Sequence, residues 1–415
     1  MRSPPSRGTR TGGYAVTVAC GDPSGNRSSS TVNAAVSHQE SPIHARPPAG
    51  VKHPAVRRRV LLALAAVVAG CAGAPRPPCD PAPPPGTLGT VCGFENPEDV
   101  EAVPQAGVVL VSNTRSLGGG PGGGFLMALP RGDTAPYRVW PREDAVLTPL
   151  LGDAACTTPP PADAFAPHGV ASMATDTPGV VRVAVVHHVA RESIELFDLV
   201  GSGREVRLAW RGCVPLPPDT VGNDVAFAPD GEIVTGNYQP TLAPPRSLYY
   251  MVKSGLGMAT GDVMLWRPDR GWRHVPGTAA AAPNGVAVSA DGASLYYAEM
   301  GRSRVVRVPR AGLRPGEAPR TVGVGSRPDN LAWSPRGTLL VGVHTGAAGP
   351  LPCLLGRRPC RSSWKVAEID PATLTTRDVF ADDGTVVGAV ASATELDGCT
   401  YFGAVFDDRI GVLCR

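Results

Sequence analysis

The chain has 415 residues, 42% of them apolar, which is enough to bury a substantial core without relying on disulfides alone. Gly and Pro approach a quarter of the chain, a share that would read as disorder if no periodic apolar pattern accompanied it. The net charge of +3 is concentrated at one end: residues 1–60 carry nine Lys/Arg against two Asp/Glu, so the remainder is mildly acidic and lacks the clustered basic face that a nucleic-acid partner requires.

Residues 1–59 are rich in Ser, Pro, Gly and Arg without apolar periodicity and predict a disordered leader. Arg57-Arg58-Arg59 then meets the apolar run 60–71, Val60-Leu-Leu-Ala-Leu-Ala-Ala-Val-Val-Ala-Gly-Cys71, the order of a secretion signal and too short for a spanning helix. Val68-Ala69-Gly70-Cys71 resembles a bacterial lipoprotein box. Cys71 is therefore expected to carry lipid, begin the mature chain and anchor an exported protein to the membrane of the cell envelope; a plain secretory signal with an incidental Cys is the alternative. A signal lying fifty residues into the chain fits a misassigned start, with the true one near Val51. Residues 72–91, Pro-rich from Pro75 to Pro85, predict an extended spacer. Export makes the later cysteines candidates for disulfides. The expected pairs are Cys92 with Cys414, fastening the two ends of the domain, Cys353 with Cys360, and Cys156 with Cys213.

From 92 to 415 one cassette recurs: polar residues, a short apolar strand, a tight turn and a second apolar strand. It is clearest in Val221-Gly-Asn-Asp-Val-Ala-Phe-Ala-Pro-Asp-Gly231 before Ile233 and Val234, and returns at Asn284-Gly-Val-Ala-Val288 and Asp329-Asn-Leu-Ala-Trp333. Looser copies begin at Glu98-Asp99, His168-Gly169 and Gly388. Matching positions lie 45–70 residues apart, the range of propeller blades with inserted loops, so the sequence predicts an all-β fold, a six-bladed β-propeller; the donors that open its cassettes predict a calcium-binding central channel.

Innermost strands line the channel of a propeller, so residues opening the cassettes converge near its axis. They are Glu98, Asp99, His168, Asn223, Asp224, Asn284, Asp329 and Asn330, nearly all oxygen donors. Any one of them can be explained as a turn cap. Turn capping does not require their in-phase repetition, and a ring of carboxylates and carboxamides without thiolates suits calcium better than zinc.

These residues, with Pro167-His168-Gly169 and the Val-Val-x-His pattern ending at His188, resemble the motifs of the paraoxonase and arylesterase family, calcium-dependent lactonases related to the regucalcin and gluconolactonase group. The resemblance runs from about Cys92 to Cys414. It implies two calcium ions, a catalytic one held by Glu98, Asn223, Asn284, Asp329 and Asn330 and a structural one held by Asp99, Asp224 and the backbone carbonyl of Val170. It also implies His168 and His188 as a catalytic histidine pair and His344 as a further pocket histidine, acting on a small lactone or aryl ester. His187 stands where the family usually has Asn. The insertion from Gln239 through Met258 predicts a lid, and Gly118–Gly124, without the Lys of a phosphate-binding loop, predicts a pocket-edge loop. Two competing readings are a regucalcin-type sugar lactonase and a non-catalytic calcium-stabilised binding module.

Overall fold

The computed structural model describes residues 76–115, 123–142, 151–356 and 358–415, and the backbone of two strands near the N-terminus. Those two, Gly12–Gly21 and Arg27–Val36, pair antiparallel from Gly12 opposite Val36 to Gly21 opposite Arg27. Composition predicted no structure there; the β-branched Val16-Thr17-Val18 and Thr31-Val32 favour strands. The start near Val51, the signal run 60–71 with its lipid-accepting Cys71, and most of the loop Gly118–Gly124 lie outside the described residues. Among the described residues no helix is long and apolar enough to cross a membrane.

Residues 76–415 form one compact unit, a six-bladed β-propeller. The six inner strands are Pro97–Val103, Ala166–Ala174, Val221–Phe227, Pro283–Val288, Arg327–Trp333 and Val390–Leu396, one at the head of each sheet. Each starts at or beside a predicted cassette. The strands next to them, such as Val108–Asn113 and Leu339–His344, are wholly buried because a blade packs on both of its faces. This explains why they read as continuous apolar runs rather than alternating ones. The cassette turn is built as its residues require: Gly231 has φ +81°, and its N–H donates to the carbonyl of Ala228 at 2.9 Å.

Apolar packing lies in wedges between neighbouring blades rather than in one central core. Leu110, Leu126 and Trp140 of the first blade meet Val183, Phe197 and Trp210 of the second in one such cluster. The second blade has a fifth strand, the two-residue Leu151–Gly152, parallel to Arg207–Pro215 and secured by the Cys156–Cys213 disulfide. Cys353–Cys360 also forms as expected.

Closure departs from expectation. Strand Gly89–Cys92 completes the sixth sheet by pairing with Arg409–Cys414, but the antiparallel register sets Cys92 opposite Arg409 and Gly89 opposite Val412. Cys92 and Cys414 therefore sit at opposite ends of the paired segment and cannot bridge. Cys414 instead bonds Cys399, its direct partner on the adjacent strand, and Cys92 bonds Cys79. Ring closure is thus by backbone pairing, with a disulfide on either side of the seam.

The Pro-rich segment is also docked where it was expected to be a free spacer. The side chain of Arg76 is buried and donates to Asp407 and to the Cys360 carbonyl, Arg409 donates to the Pro77 carbonyl at 2.8 Å, and Gly86 donates to the Cys414 carbonyl at 2.9 Å.

Candidate functional site

The donors of the cassettes reach the axis through a shared backbone irregularity. In each of the first five blades two residues of the inner strand stand opposite a single residue of its neighbour: Glu98-Asp99, His168-Gly169, Asn223-Asp224, Asn284-Gly285 and Asp329-Asn330. Such bulges release residues from the ladder and redirect their side chains. Space at the axis is tight. A Cβ on Gly169 would come within 2.6 Å of the Cα of Asp224, and one on Gly285 within 2.5 Å of the Asp329 carbonyl oxygen.

Glu98, His168, His188, Asn223, Asn284, Asp329 and His344 all line one cavity of about 350 Å³ at one mouth of the channel. Asn330 is buried beside it and donates from Nδ2 to Glu98 Oε1 at 2.8 Å. Four buried oxygens here have no hydrogen-bond partner: Glu98 Oε2, Asn223 Oδ1, Asn284 Oδ1 and Asn330 Oδ1. A buried unpaired polar atom costs about 1–3 kcal/mol, so a cluster of four such oxygens is one that a bound cation fits. Counting His, Cys, Asp and Glu alone, no group among the described residues has the makings of a metal site; the set is completed by carboxamide oxygens, as hard-cation sites often are.

Asp99 and Asp224 are buried together deeper along the strands. Asp99 accepts from Val100 N at 2.9 Å and Val170 N at 2.7 Å, and Asp224 from Val225 N at 2.7 Å and Val286 N at 2.9 Å. Val170 thus meets Asp99 through its amide. Burial pushes both carboxyls well up, reinforced by Glu98 at Asp99 and by Asp99 and Glu98 at Asp224. Crowded buried acids of this kind favour a bound cation or a shared proton.

His168 Nδ1 lies 2.9 Å from His188 Nε2, and His188 Nδ1 lies 2.7 Å from Glu192 Oε2. His168 Nε2 faces Glu98 Oε1 at 3.4 Å. Burial opposes protonation of His168, but the nearby Glu98 charge, with Asp329 and Asp99, outweighs it and raises its pKa. His344 Nε2 contacts Asp329 Oδ2 at 2.7 Å, which holds that ring beside the oxygen set. His187, the departure from the family pattern, points away: it accepts from Ala166 N at 3.1 Å and stacks on Phe165, and burial, then His188 and Arg191, lowers its pKa to about 3.

The remaining cavity wall is largely apolar, formed by Leu242, Met251, Met300, Leu354, Val405 and Phe406 with Tyr238. Burial pushes the Tyr238 hydroxyl up to about 12. Leu242 and Met251 belong to the expected lid, whose helix Arg246–Gly255 leaves Leu248, Tyr249 and Val252 exposed on its other side. Sequence reasoning missed Glu192, Tyr238 and the bulges. Nothing in the spacing of Glu192 from His188 distinguishes it from a turn carboxylate.

No family model and no curated protein matches the chain. Among solved structures it is similar to a gluconolactonase from Xanthomonas campestris, with 16% identity and a TM-score of 0.48 over 83% of this chain and 98% of that one. It is also similar to a luciferin-regenerating enzyme, with 13% identity and a TM-score of 0.47 over 79% and 95%. A third likeness is to a calcium-binding regucalcin from Agrobacterium tumefaciens, with 12% identity and a TM-score of 0.45 over 78% and 92%.

Proposed function

We propose that this protein is a calcium-dependent hydrolase of lactones or aryl esters of the paraoxonase type. The observation that carries the reading is the convergence, in one cavity, of unpartnered buried oxygens of Glu98, Asn223 and Asn284, with that of Asn330 beside them, and a hydrogen-bonded histidine pair. Glu98, Asn223, Asn284, Asp329 and Asn330 would hold one calcium, and Asp99, Asp224 and Val170 a second. When bound, calcium with an open position supplies polarisation of a carbonyl and stabilisation of the oxyanion.

The chain's own residues do the rest. His168 takes a proton from water at Nε2 while the water oxygen adds to the ester carbonyl carbon, and it returns the proton to the leaving alkoxide as the C–O bond breaks. His188 holds the His168 ring in place at 2.9 Å. The apolar wall of Leu242, Met251, Leu354 and Phe406 receives the hydrocarbon part of the ester and keeps bulk water from the reacting atoms.

Four disulfides among the described residues support an oxidising compartment and hence export; lipid anchoring of Cys71 to the bacterial cell envelope is proposed from the lipobox-like Val68-Ala69-Gly70-Cys71 alone. The deciding experiment is a panel of lactones and aryl esters assayed on the purified protein with and without EGTA. Turnover that EGTA abolishes and calcium restores is expected. Calcium binding without any turnover would replace the hydrolase with a binding module, and turnover indifferent to EGTA would remove calcium from the reaction.

A further inference from the structure

Glu98, His168, His188 and Glu192 form a row of four groups with two possible directions. If Glu192 accepts from His188 Nδ1–H, then His188 Nε2 is an acceptor, His168 donates from Nδ1, and His168 Nε2 carries a free lone pair toward the cavity. If Glu98 accepts from His168 Nε2–H instead, every bond reverses and the cavity meets an N–H, which cannot take a proton from water.

Distances decide between the two. Glu192 is 2.7 Å from its ring nitrogen and Glu98 is 3.4 Å from its own, beyond the usual range for a strong charge-assisted bond. Glu98 Oε1 is moreover already engaged by Asn330 Nδ2 at 2.8 Å.

The turn carrying Glu192 is shaped to deliver it. Val189 and Ala190 both adopt left-handed backbone, φ +65° and +63°, a conformation unusual for any non-Gly residue and most of all for Val. Beyond the turn, Arg191 forks onto Glu195 at 2.9 and 3.1 Å. Glu195 is itself fully buried and held by Trp210 Nε1 at 2.8 Å and Ser193 Oγ at 2.7 Å. A strained turn clamped on its far side places one carboxylate against one imidazole nitrogen.

We infer that Glu192 is a positioning residue that fixes the tautomers of His188 and His168, so that His168 presents an unprotonated Nε2 to the cavity. For its catalytic consequence this rests on the hydrolase reading; the tautomers themselves do not. The test uses the full-length protein labelled with 15N-histidine, observed at alkaline pH where both rings are neutral. Wild type should show His188 and His168 protonated at Nδ1. Glu192→Ala should move both to Nε2 and lower kcat on the order of 10- to 100-fold, with KM within about twofold. Glu192→Gln, whose Oε1 still accepts, should restore the Nδ1 tautomers and most of kcat. Unchanged tautomers in Glu192→Ala would overturn the inference whether or not any ester is hydrolysed, as would altered tautomers with kcat intact. Absence of hydrolysis in wild type would count against the hydrolase reading and leave the tautomer result to decide the inference alone.

Discussion

Asn330 on the fifth blade donates to Glu98 on the first at 2.8 Å, while Oδ1 of the same carboxamide and Oε2 of the same carboxylate remain without partners. The contact joins two blades across the channel and leaves two oxygens for a ligand. It also fixes what substitution of the oxygen set should do.

Asn284 is the cleanest probe, since its buried Oδ1 bonds nothing in the protein. Asn284→Ala should leave the calcium-free protein as stable as wild type or slightly more so, because an unpaired polar atom is removed. Calcium affinity should fall by at least about 10-fold and turnover with it. Calorimetric titration and denaturation in EGTA check both halves; equal calcium affinity in the variant would take Asn284 out of the site.

His168→Ala should separate metal from chemistry. It removes a base and no oxygen ligand, so calcium binding persists while kcat falls by about 10² to 10⁴. Full activity in the calcium-loaded variant would transfer the role of base to another group.

The three donor pairs, Asn284 and His168 were legible in the sequence because side chains repeating in phase around a closed ring must meet at its axis. The two-against-one bulges that aim them were not legible, since a bulge depends on the partner strand and leaves no residue signature in His168-Gly169 or Asn284-Gly285. The pairs Cys353–Cys360 and Cys156–Cys213 were read correctly, while Cys79–Cys92 and Cys399–Cys414 were missed. The seam pair failed because strand register, here Cys92 opposite Arg409, sets which cysteines meet, and proximity of the termini does not.

Peptide mapping without reduction should therefore recover Cys79 linked to Cys92 and Cys399 linked to Cys414. Removing Cys79 and Cys92 together should cost up to about 3 kcal/mol, the loop-entropy figure for so short a loop, and leave the propeller closed. A recovered Cys92–Cys414 peptide would contradict the register.

Arg76 anchors the segment before the seam by pairing with buried Asp407, whose carboxyl burial pushes up against the pull of Arg76. Arg76→Ala should destabilise by up to about 3 kcal/mol because buried Asp407 loses its closest cation and keeps Arg409 at 3.8 Å. Adding Asp407→Asn should recover part of that loss in denaturant titrations; strictly additive losses would mean the pair is not coupled.

His187 gives the acid limb of stability a definite sign. Its folded pKa of about 3 lies below its ordinary value of about 6.5, so the unfolded chain binds the extra proton between those limits. The stabilisation is complete above pH ~6.5 and is lost as pH falls toward 3. Asn at 187 can still accept from Ala166 N, so His187→Asn should flatten the stability profile between about pH 6 and 4 while preserving the strand. An unchanged slope in denaturant midpoints across that window would show that the ring does not titrate on unfolding.

The seam between Gly89–Cys92 and Arg409–Cys414 also fixes a sequence of events during synthesis. The strand that closes the ring is the first of the propeller to be made, and its partner is the last. Until Arg409–Cys414 has been made, the sixth blade lacks two of its three strand pairings and the first blade has no finished neighbour on that side. Roughly 300 residues of chain thus wait on a single non-local pairing, and loss of the Arg409–Val412 segment would leave an open ring with an exposed strand edge. Closure of the channel consequently depends on Arg409–Cys414, so a truncation that removes this strand while sparing Glu98, Asn284, His168 and His188 is expected to leave the ring open.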